Sequence, residues 1–153
     1  MTARFFTVSD VDAMIPWLDT CMRRIAGIRC WMRAAYVRLD AVGVAPIRID
    51  FPIPGDAPLA VRRDLEDLRL GVEQLREDVA RLLELGCVVR SLDLGRLDFR
   101  ARHVDRDVYL CWQLGEPQLL WWHELDEGIE GRKPIDELPA AARVPGAMQG
   151  SSD

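Results

Sequence analysis

The sequence predicts an α+β fold, in which an antiparallel hairpin of two long, coiled-coil-like helices precedes a small antiparallel β-meander. Three observations predict it. Apolar residues recur at alternating spacings of four and three along residues 7–42 and again along residues 61–82. A connection with four prolines, residues 43–58, separates the two segments. From Cys87 onward the apolar period changes to that of short strands.

The first helix is predicted from about Thr7 to Val42. The stretch "TVSD" reads as a capping box in which Thr7 and Asp10 satisfy each other's backbone N–H groups. A heptad seam follows, formed by Met14, Leu18, Cys21, Ile25, Ile28, Met32, Ala35, Leu39 and Val42. Trp17 and Trp31 lie beside the seam in line with two arginines. This line could stack a planar ligand, but packing along the helix is the favoured interpretation.

The second helix carries a matching seam from Val61 to Leu82, and Gly86 suits the left-handed position just past its end. Two seams joined by one connection indicate a helical hairpin. Such a hairpin leaves apolar surface that the β region and a second copy of the chain would cover. We therefore expect a homo-oligomer, most simply a dimer through the helices. Whether the helices pair within one chain or between chains stays open.

The β region is predicted to contain strands at about residues 87–92, 97–101, 107–114 and 119–124. If "GEPQ" is a four-residue hairpin loop, Leu114 lies opposite Leu119. In that register Trp112 faces Trp121 and Leu110 faces His123. The next segment, up to residue 138, reads as a loop. Residues 1–138 are then a single domain, followed by a disordered tail of residues 139–153.

Composition and charge argue against several classes of partner and location. The net charge of -5 and the pI of about 5.1 argue against a nucleic-acid or anionic-membrane partner. The sequence contains no apolar run long enough to span a bilayer, so a cytoplasmic location is expected. The four cysteines form no CxxC pair and are predicted to be free thiols.

The stretch "WWHELDEG" is the candidate site. His123, Glu124 and Asp126 are metal-ligand residue types, and Asp98 on a neighbouring strand could add an oxygen. A divalent metal is therefore the leading cofactor candidate, although the spacing is not the HExxH of zinc proteases. A small molecule could instead bind among aromatic rings and a guanidinium, namely those of Trp112, Trp121, Arg132, Trp17 and Trp31.

A structural role for the same stretch is favoured over metal binding and over a small-molecule or catalytic role. In it, His123 donates a hydrogen bond to Asp98 or Asp126, and Arg132 pairs with Glu124 or Asp126. A nucleophilic Cys111 with His123 as its base is disfavoured, because the proposed register places the two side chains on opposite faces of the sheet.

Three segments carry a resemblance to a known family: "FFTVSDVDAMIPWL", "LLELGCVVRSLDLGRLDF" and "VYLCWQLGEPQLLWWHELDEGIEGRKPI". Over residues 4 to 135 the chain resembles the bacterial proteins grouped as domain of unknown function 2203. The resemblance implies a small bacterial protein with paired helices, a short β region and no established activity. We therefore expect a self-associating module without catalysis that binds a protein or small-molecule partner. The alternative is a metal- or cofactor-dependent enzyme with a site around His123, Glu124 and Asp126.

Overall fold

A computed structural model describes residues 4–138 and confirms the α+β prediction, with two helices followed by a five-stranded antiparallel sheet. The chain divides into two compact units. Among the described residues, unit 1 comprises 4–22 and 82–138, and unit 2 comprises 23–81. The predicted disordered tail, residues 139–153, lies outside the described residues. That residues 1–138 fold as a single domain stays a prediction.

The helices and strands follow the predicted order. They are α1 (Val8–Ala41), α2 (Leu59–Leu85), β1 (Val88–Ser91), β2 (Arg96–His103), β3 (Arg106–Gln113), β4 (Trp121–Glu124) and β5 (Lys133–Pro134). Each strand pairs with the next along the chain, so the sheet is a meander. The segment after β4, predicted as a loop, contributes β5 and two short 3-10 helices. No helix within residues 4–138 has both the length and the apolar character needed to cross a membrane.

Unit 1 is held together by backbone polar groups as well as by its core. The capping box forms as predicted, since Asp10 Oδ2 accepts from the Thr7 N–H at 2.8 Å and Thr7 Oγ1 accepts from the Asp10 N–H at 3.1 Å. The Phe6 N–H donates to the Arg100 carbonyl of β2 at 2.8 Å. One face of the sheet is buried and apolar, and it includes Leu97, Phe99, Ala101, Val108, Leu110, Trp112 and Trp122.

Unit 2 shows that the two helices pair within one chain. Arg24 of α1 contacts Asp78 of α2 at 3.0 Å, and Arg38 of α1 contacts Asp64 of α2 at 2.9 Å, which fixes an antiparallel arrangement. Around the Arg38–Asp64 pair the predicted seams supply a buried cluster of Ala35, Leu39, Leu65 and Leu68. Coiled-coil geometry stays a prediction. The last seam residue, Val42, is exposed because α1 ends at Ala41.

The register predicted for β3 and β4 is wrong by one residue. Cys111 lies opposite Trp121, Leu110 opposite Trp122 and Tyr109 opposite His123. The connection occupies residues 114–120 rather than a four-residue turn. It is held by Glu116, whose carboxylate accepts from the Gln113 N–H at 2.6 Å. Because side chains alternate along a strand, a shift of one residue changes which face each cross-strand neighbour occupies.

Candidate functional site

The second face of the sheet gathers three chemically capable side chains. Asp98 of β2 lies opposite Cys111 of β3, and Cys111 lies opposite Trp121, two residues before His123 on β4. All three side chains therefore point to one face. They are 1%, 0% and 2% exposed, respectively. One ligand atom of each lies within 4.8 Å of the other two, which makes this the one group of metal-ligand side chains so assembled among residues 4–138.

The hydrogen bonds of His123 define its protonation pattern. Its Nδ1 lies 2.8 Å from the Glu124 carbonyl oxygen, which can only accept, so Nδ1 carries a hydrogen. Its Nε2 lies 3.0 Å from Asp98 Oδ2. In the neutral imidazole that Nε2 would be a bare acceptor facing a carboxylate oxygen. A proton or a metal cation must therefore lie between these two atoms.

Asp98 has unused binding capacity. Its Oδ2 accepts a hydrogen bond from Arg90 Nε at 2.8 Å in addition to facing His123. That hydrogen bond raises the pKa of Arg90. Its Oδ1 is buried and has no hydrogen-bond partner. A buried carboxylate oxygen left without a partner is costly, so this oxygen can accept a further group.

Cys111 is a protonated thiol in the absence of a metal. Burial raises its pKa to about 12, the charge of Asp98 acts in the same direction, and Arg132 acts in the opposite one. Both ring nitrogens of His123 are already engaged, so neither faces Cys111 as a base. The register argument that separated Cys111 from His123 was wrong, but this geometry still opposes a cysteine–histidine nucleophile.

A cavity of about 410 Å³ opens beside these three side chains. Arg90 and Arg96 line one part of it, and the loop after β4 lines the rest. The Nε of Arg96 is buried and has no hydrogen-bond partner. The lining residues from the loop are Leu125, Asp126, Glu127, Gly128 and Ile129.

Of the metal ligands suggested by the sequence, the structure brings Asp98 and His123 together and separates Glu124 from them. Strand alternation turns Glu124 to the other face, where it contacts Arg106 at 2.6 Å and Lys133 at 3.8 Å. The hydrogen bond from Arg106 lowers the pKa of Glu124. Asp126 lines the cavity but is not one of the three clustered residues.

The predicted contacts of Arg132 and of the tryptophans need correction. Arg132 lies over the Trp121 ring at 5.1 Å. The cations that contact Glu124 are Arg106 and Lys133, not Arg132. Trp112 and Trp121 lie on opposite faces, because Trp121 is opposite Cys111. Trp112 is fully buried and its Nε1 donates to the Glu116 carbonyl at 3.0 Å. Trp17 and Trp31 are both partly exposed and belong to different units.

Sequence reasoning missed Cys111, Arg90 and Arg96 as members of one site. A usable signal lies in β2, "RLDFRARH", where charged residues alternate with Leu97, Phe99 and Ala101. Because β2 lies between two neighbouring strands, the arginines and the aspartate on its second face are partly enclosed. Charged side chains in such a position indicate a polar site.

The protein is thus of the α+β class, with a buried aspartate, cysteine and histidine clustered on the second face of an antiparallel meander. Residues 4–135 match the family described as "Uncharacterized conserved protein (DUF2203)". Because the match covers most of the chain, the protein belongs to this family. Comparison with curated proteins gives no match, and comparison with solved structures gives none either.

Proposed function

We propose that this protein binds a divalent transition metal through Asp98, Cys111 and His123 and presents it to the adjoining cavity, as a metal-dependent enzyme does. One observation carries the proposal. Three buried ligand atoms of different chemistry lie within 4.8 Å of one another, and the histidine is oriented by a backbone carbonyl on its second nitrogen. That outer hydrogen bond is the usual companion of a metal-ligating histidine.

The donor set favours a borderline metal such as Zn²⁺ or Fe²⁺. A thiolate and an imidazole select against Mg²⁺ and Ca²⁺, which prefer oxygen ligands. Three protein ligands leave a further coordination position, the arrangement typical of catalytic rather than structural zinc sites. The cavity beside the three ligands gives that position room for a substrate.

The competing interpretation is a structural ion pair in which a proton joins His123 to Asp98. That pair accounts for the 3.0 Å contact. It leaves the buried Asp98 Oδ1 without a hydrogen-bond partner. A metal held by Asp98, Cys111 and His123 would give that carboxylate a further partner.

The test is metal content and metal affinity of the untagged protein under reducing conditions. We expect one equivalent of zinc or iron by elemental analysis, and a sulfur-to-cobalt charge-transfer band on substitution with Co²⁺. Cys111→Ser removes the band and lowers the affinity by at least about a hundredfold, since losing even an outer-shell partner costs tenfold or more.

The matched control is Cys87→Ser, which changes a second buried cysteine whose Sγ donates to the Leu82 carbonyl outside the cluster. Its metal affinity should equal that of the wild type. Wild-type protein that takes up no stoichiometric metal, or a Cys111→Ser variant that binds as tightly as wild type, contradicts the proposal.

A second candidate function is self-association, supported by the apolar surface of unit 2. An apolar cavity of about 620 Å³ is lined there by Val42, Val44, Phe51, Pro52, Val61 and Leu65, among others. Ile47, in the same connection, is 95% exposed. We propose that two copies pair through this connection and the adjoining helix ends, with Ile47 of each copy entering the cavity of the other. A two-fold interface requires this kind of self-complementarity.

Sedimentation of the wild type should show a dimer, and Ile47→Asp should show a monomer. Val37→Asp is the matched control, because Val37 is an exposed valine on α1 outside the connection and its cavity. A monomeric wild type at high micromolar concentration contradicts the self-association proposal. A dimer broken by Val37→Asp but not by Ile47→Asp places the interface on the helices instead.

We also propose a reducing, cytoplasmic location. None of the four cysteines forms a disulfide and three of them are buried, as is usual for proteins kept reduced. Cell fractionation should recover the protein with cytoplasmic markers, and recovery with periplasmic or secreted markers contradicts this.

A further inference from the structure

We infer that the cavity beside the proposed metal position binds a small oxyanion, a carboxylate or phosphate group, with one oxygen on the metal and another on Arg96. The inference rests on the proposed metal-binding function and names the chemistry of the molecule that the metal would hold.

The first observation is the orphaned donor of Arg96. Its Nε is buried without a hydrogen-bond partner, and its side chain lines the cavity. Arg96 precedes Asp98 by two residues on β2, so both side chains lie on the same face of the sheet. A guanidinium has donors only. The hydrogen-bond partner that Arg96 Nε lacks is therefore an acceptor, such as an oxygen of an anion.

The second observation is the balance of charge around the ligands. A divalent metal neutralises the carboxylate of Asp98 and the thiolate of Cys111, while His123 binds as a neutral ligand. The charges of Arg90 and Arg96 then remain on the same wall of the cavity. Of the acidic lining residues from the loop, Glu127 lies 3.8 Å from Lys133, and Asp126 is exposed to solvent. The side of the cavity formed by Arg90 and Arg96 therefore favours an anion.

The third observation is size. A cavity of about 410 Å³ lies at the lower end of the range for small-molecule sites, roughly 300–1,000 Å³. It suits a small metabolite that carries an oxyanion rather than a peptide or a nucleic acid. Arginine recognises carboxylate and phosphate with the same planar donors, so both sources belong in the test.

The experiment uses full-length protein loaded with Co²⁺ and freed of excess metal. Inorganic phosphate and acetate are titrated separately while the visible cobalt spectrum is recorded. We expect at least one of the two anions to perturb the spectrum saturably. Arg96→Gln should lower the affinity for that anion by about tenfold or more, because the anion loses a hydrogen bond from a charged donor. The affinity for Co²⁺ should be unchanged, since Arg96 is not a metal ligand. Arg96→Lys, which keeps the charge, should recover part of the loss.

The matched control is Arg102→Gln. Arg102 lies on the same strand and face as Arg96, but it pairs with Asp107 outside the cavity. Its anion affinity should equal that of the wild type.

The outcomes separate the two proposals. Absence of a cobalt spectrum overturns the metal centre and the bridged anion together. A normal cobalt spectrum that neither anion perturbs overturns the anion alone. Equal weakening by Arg96→Gln and Arg102→Gln also overturns it, because a general loss of positive charge then explains the effect. Phosphate binding without acetate binding, or the reverse, identifies the source.

Discussion

Among the described residues, each unit of this protein buries one aspartate, and the two aspartates differ in what surrounds them. Asp78 in unit 2 is 1% exposed, and each of its oxygens has its own arginine, Arg24 at 3.0 Å and Arg81 at 3.4 Å. Asp98 in unit 1 is equally buried, but one oxygen serves both Arg90 and His123 while the other has no partner. The first carboxylate is satisfied by the fold, whereas the second retains capacity for a ligand. Burial alone therefore does not show whether a carboxylate has capacity left for a ligand.

The two units also differ in the cavities described above. The cavity of unit 1 is lined by charged groups such as Arg90, Arg96 and Asp98. The cavity of about 620 Å³ in unit 2 is lined by apolar residues such as Val42 and Phe51, and the nearby Ile47 is exposed. The difference indicates separate roles, with ligand chemistry proposed for unit 1 and contact with a second copy proposed for unit 2.

Replacing each of the two buried carboxylates in turn, with and without zinc, tests whether Asp98 and Asp78 differ as described. At zinc concentrations about a hundred times the dissociation constant, the metal should stabilise the wild type by about 2.7 kcal/mol. Asp98→Asn should abolish that gain and Asp78→Asn should keep it. Denaturant titrations with and without zinc measure both. A full gain in Asp98→Asn would refute the assignment of Asp98 as a ligand.

The converse change tests the structural aspartate. Asp78→Asn should lower the free energy of unfolding by about 1–3 kcal/mol with or without zinc, because it weakens charged hydrogen bonds to a buried oxygen. Both arginine partners are about half exposed, so the loss should stay below that of a fully buried pair. Asp50→Asn, which breaks an ion pair exposed on both sides, should change stability by less than about 0.5 kcal/mol. Equal effects for the two variants would show that Asp78 is not structurally important.

Two helical glycines sharpen the picture of unit 2 as a packed hairpin. A Cβ at Gly71 of α2 would lie 2.4 Å from Cγ of Met32 on α1, whereas a Cβ at Gly27 of α1 would meet nothing within 4 Å. Gly71→Ala should therefore lower the free energy of unfolding by about 1 kcal/mol, the overlap exceeding the gain in helix propensity. Gly27→Ala should raise it by a similar amount. Thermal unfolding of both variants measures these two changes. Stabilisation by Gly71→Ala would show that the helices are less tightly packed at this point.

The smallest expected effects are in thiol labelling. Burial raises the pKa of Cys87 to about 11, so this thiol keeps its proton near neutral pH, and its labelling rate should rise with pH until about 11. Cys30 is exposed and should label first. Added zinc should protect Cys111 and leave Cys87 unchanged, as read by mass spectrometry of alkylated peptides. Equal protection of the two cysteines would indicate general stabilisation rather than ligation.

Much of the fold could be predicted from local patterns. The Thr7–Asp10 capping box, both helices and the four main strands follow from spacings that a short window of sequence contains. The short strand β5 could not, because Lys133 and Pro134 have no strand character of their own and pair only as neighbours of β4. Of the candidate site, the residue types at Asp98 and His123 were recognisable, and their 3.0 Å contact matches one of the predicted partners of His123.

Apolar periodicity and capping act within a few residues, so the local sequence specifies which segments form helices and strands. The pairing of the helices within one chain, and the placement of Cys111 on the same face as His123, depend on contacts between distant segments. The shared face depends on how residues 114–120 connect β3 to β4, where the Glu116 carboxylate accepts from the Gln113 N–H. Strand alternation has a period of two, so that single step of register determines whether Asp98, Cys111 and His123 form one site or none.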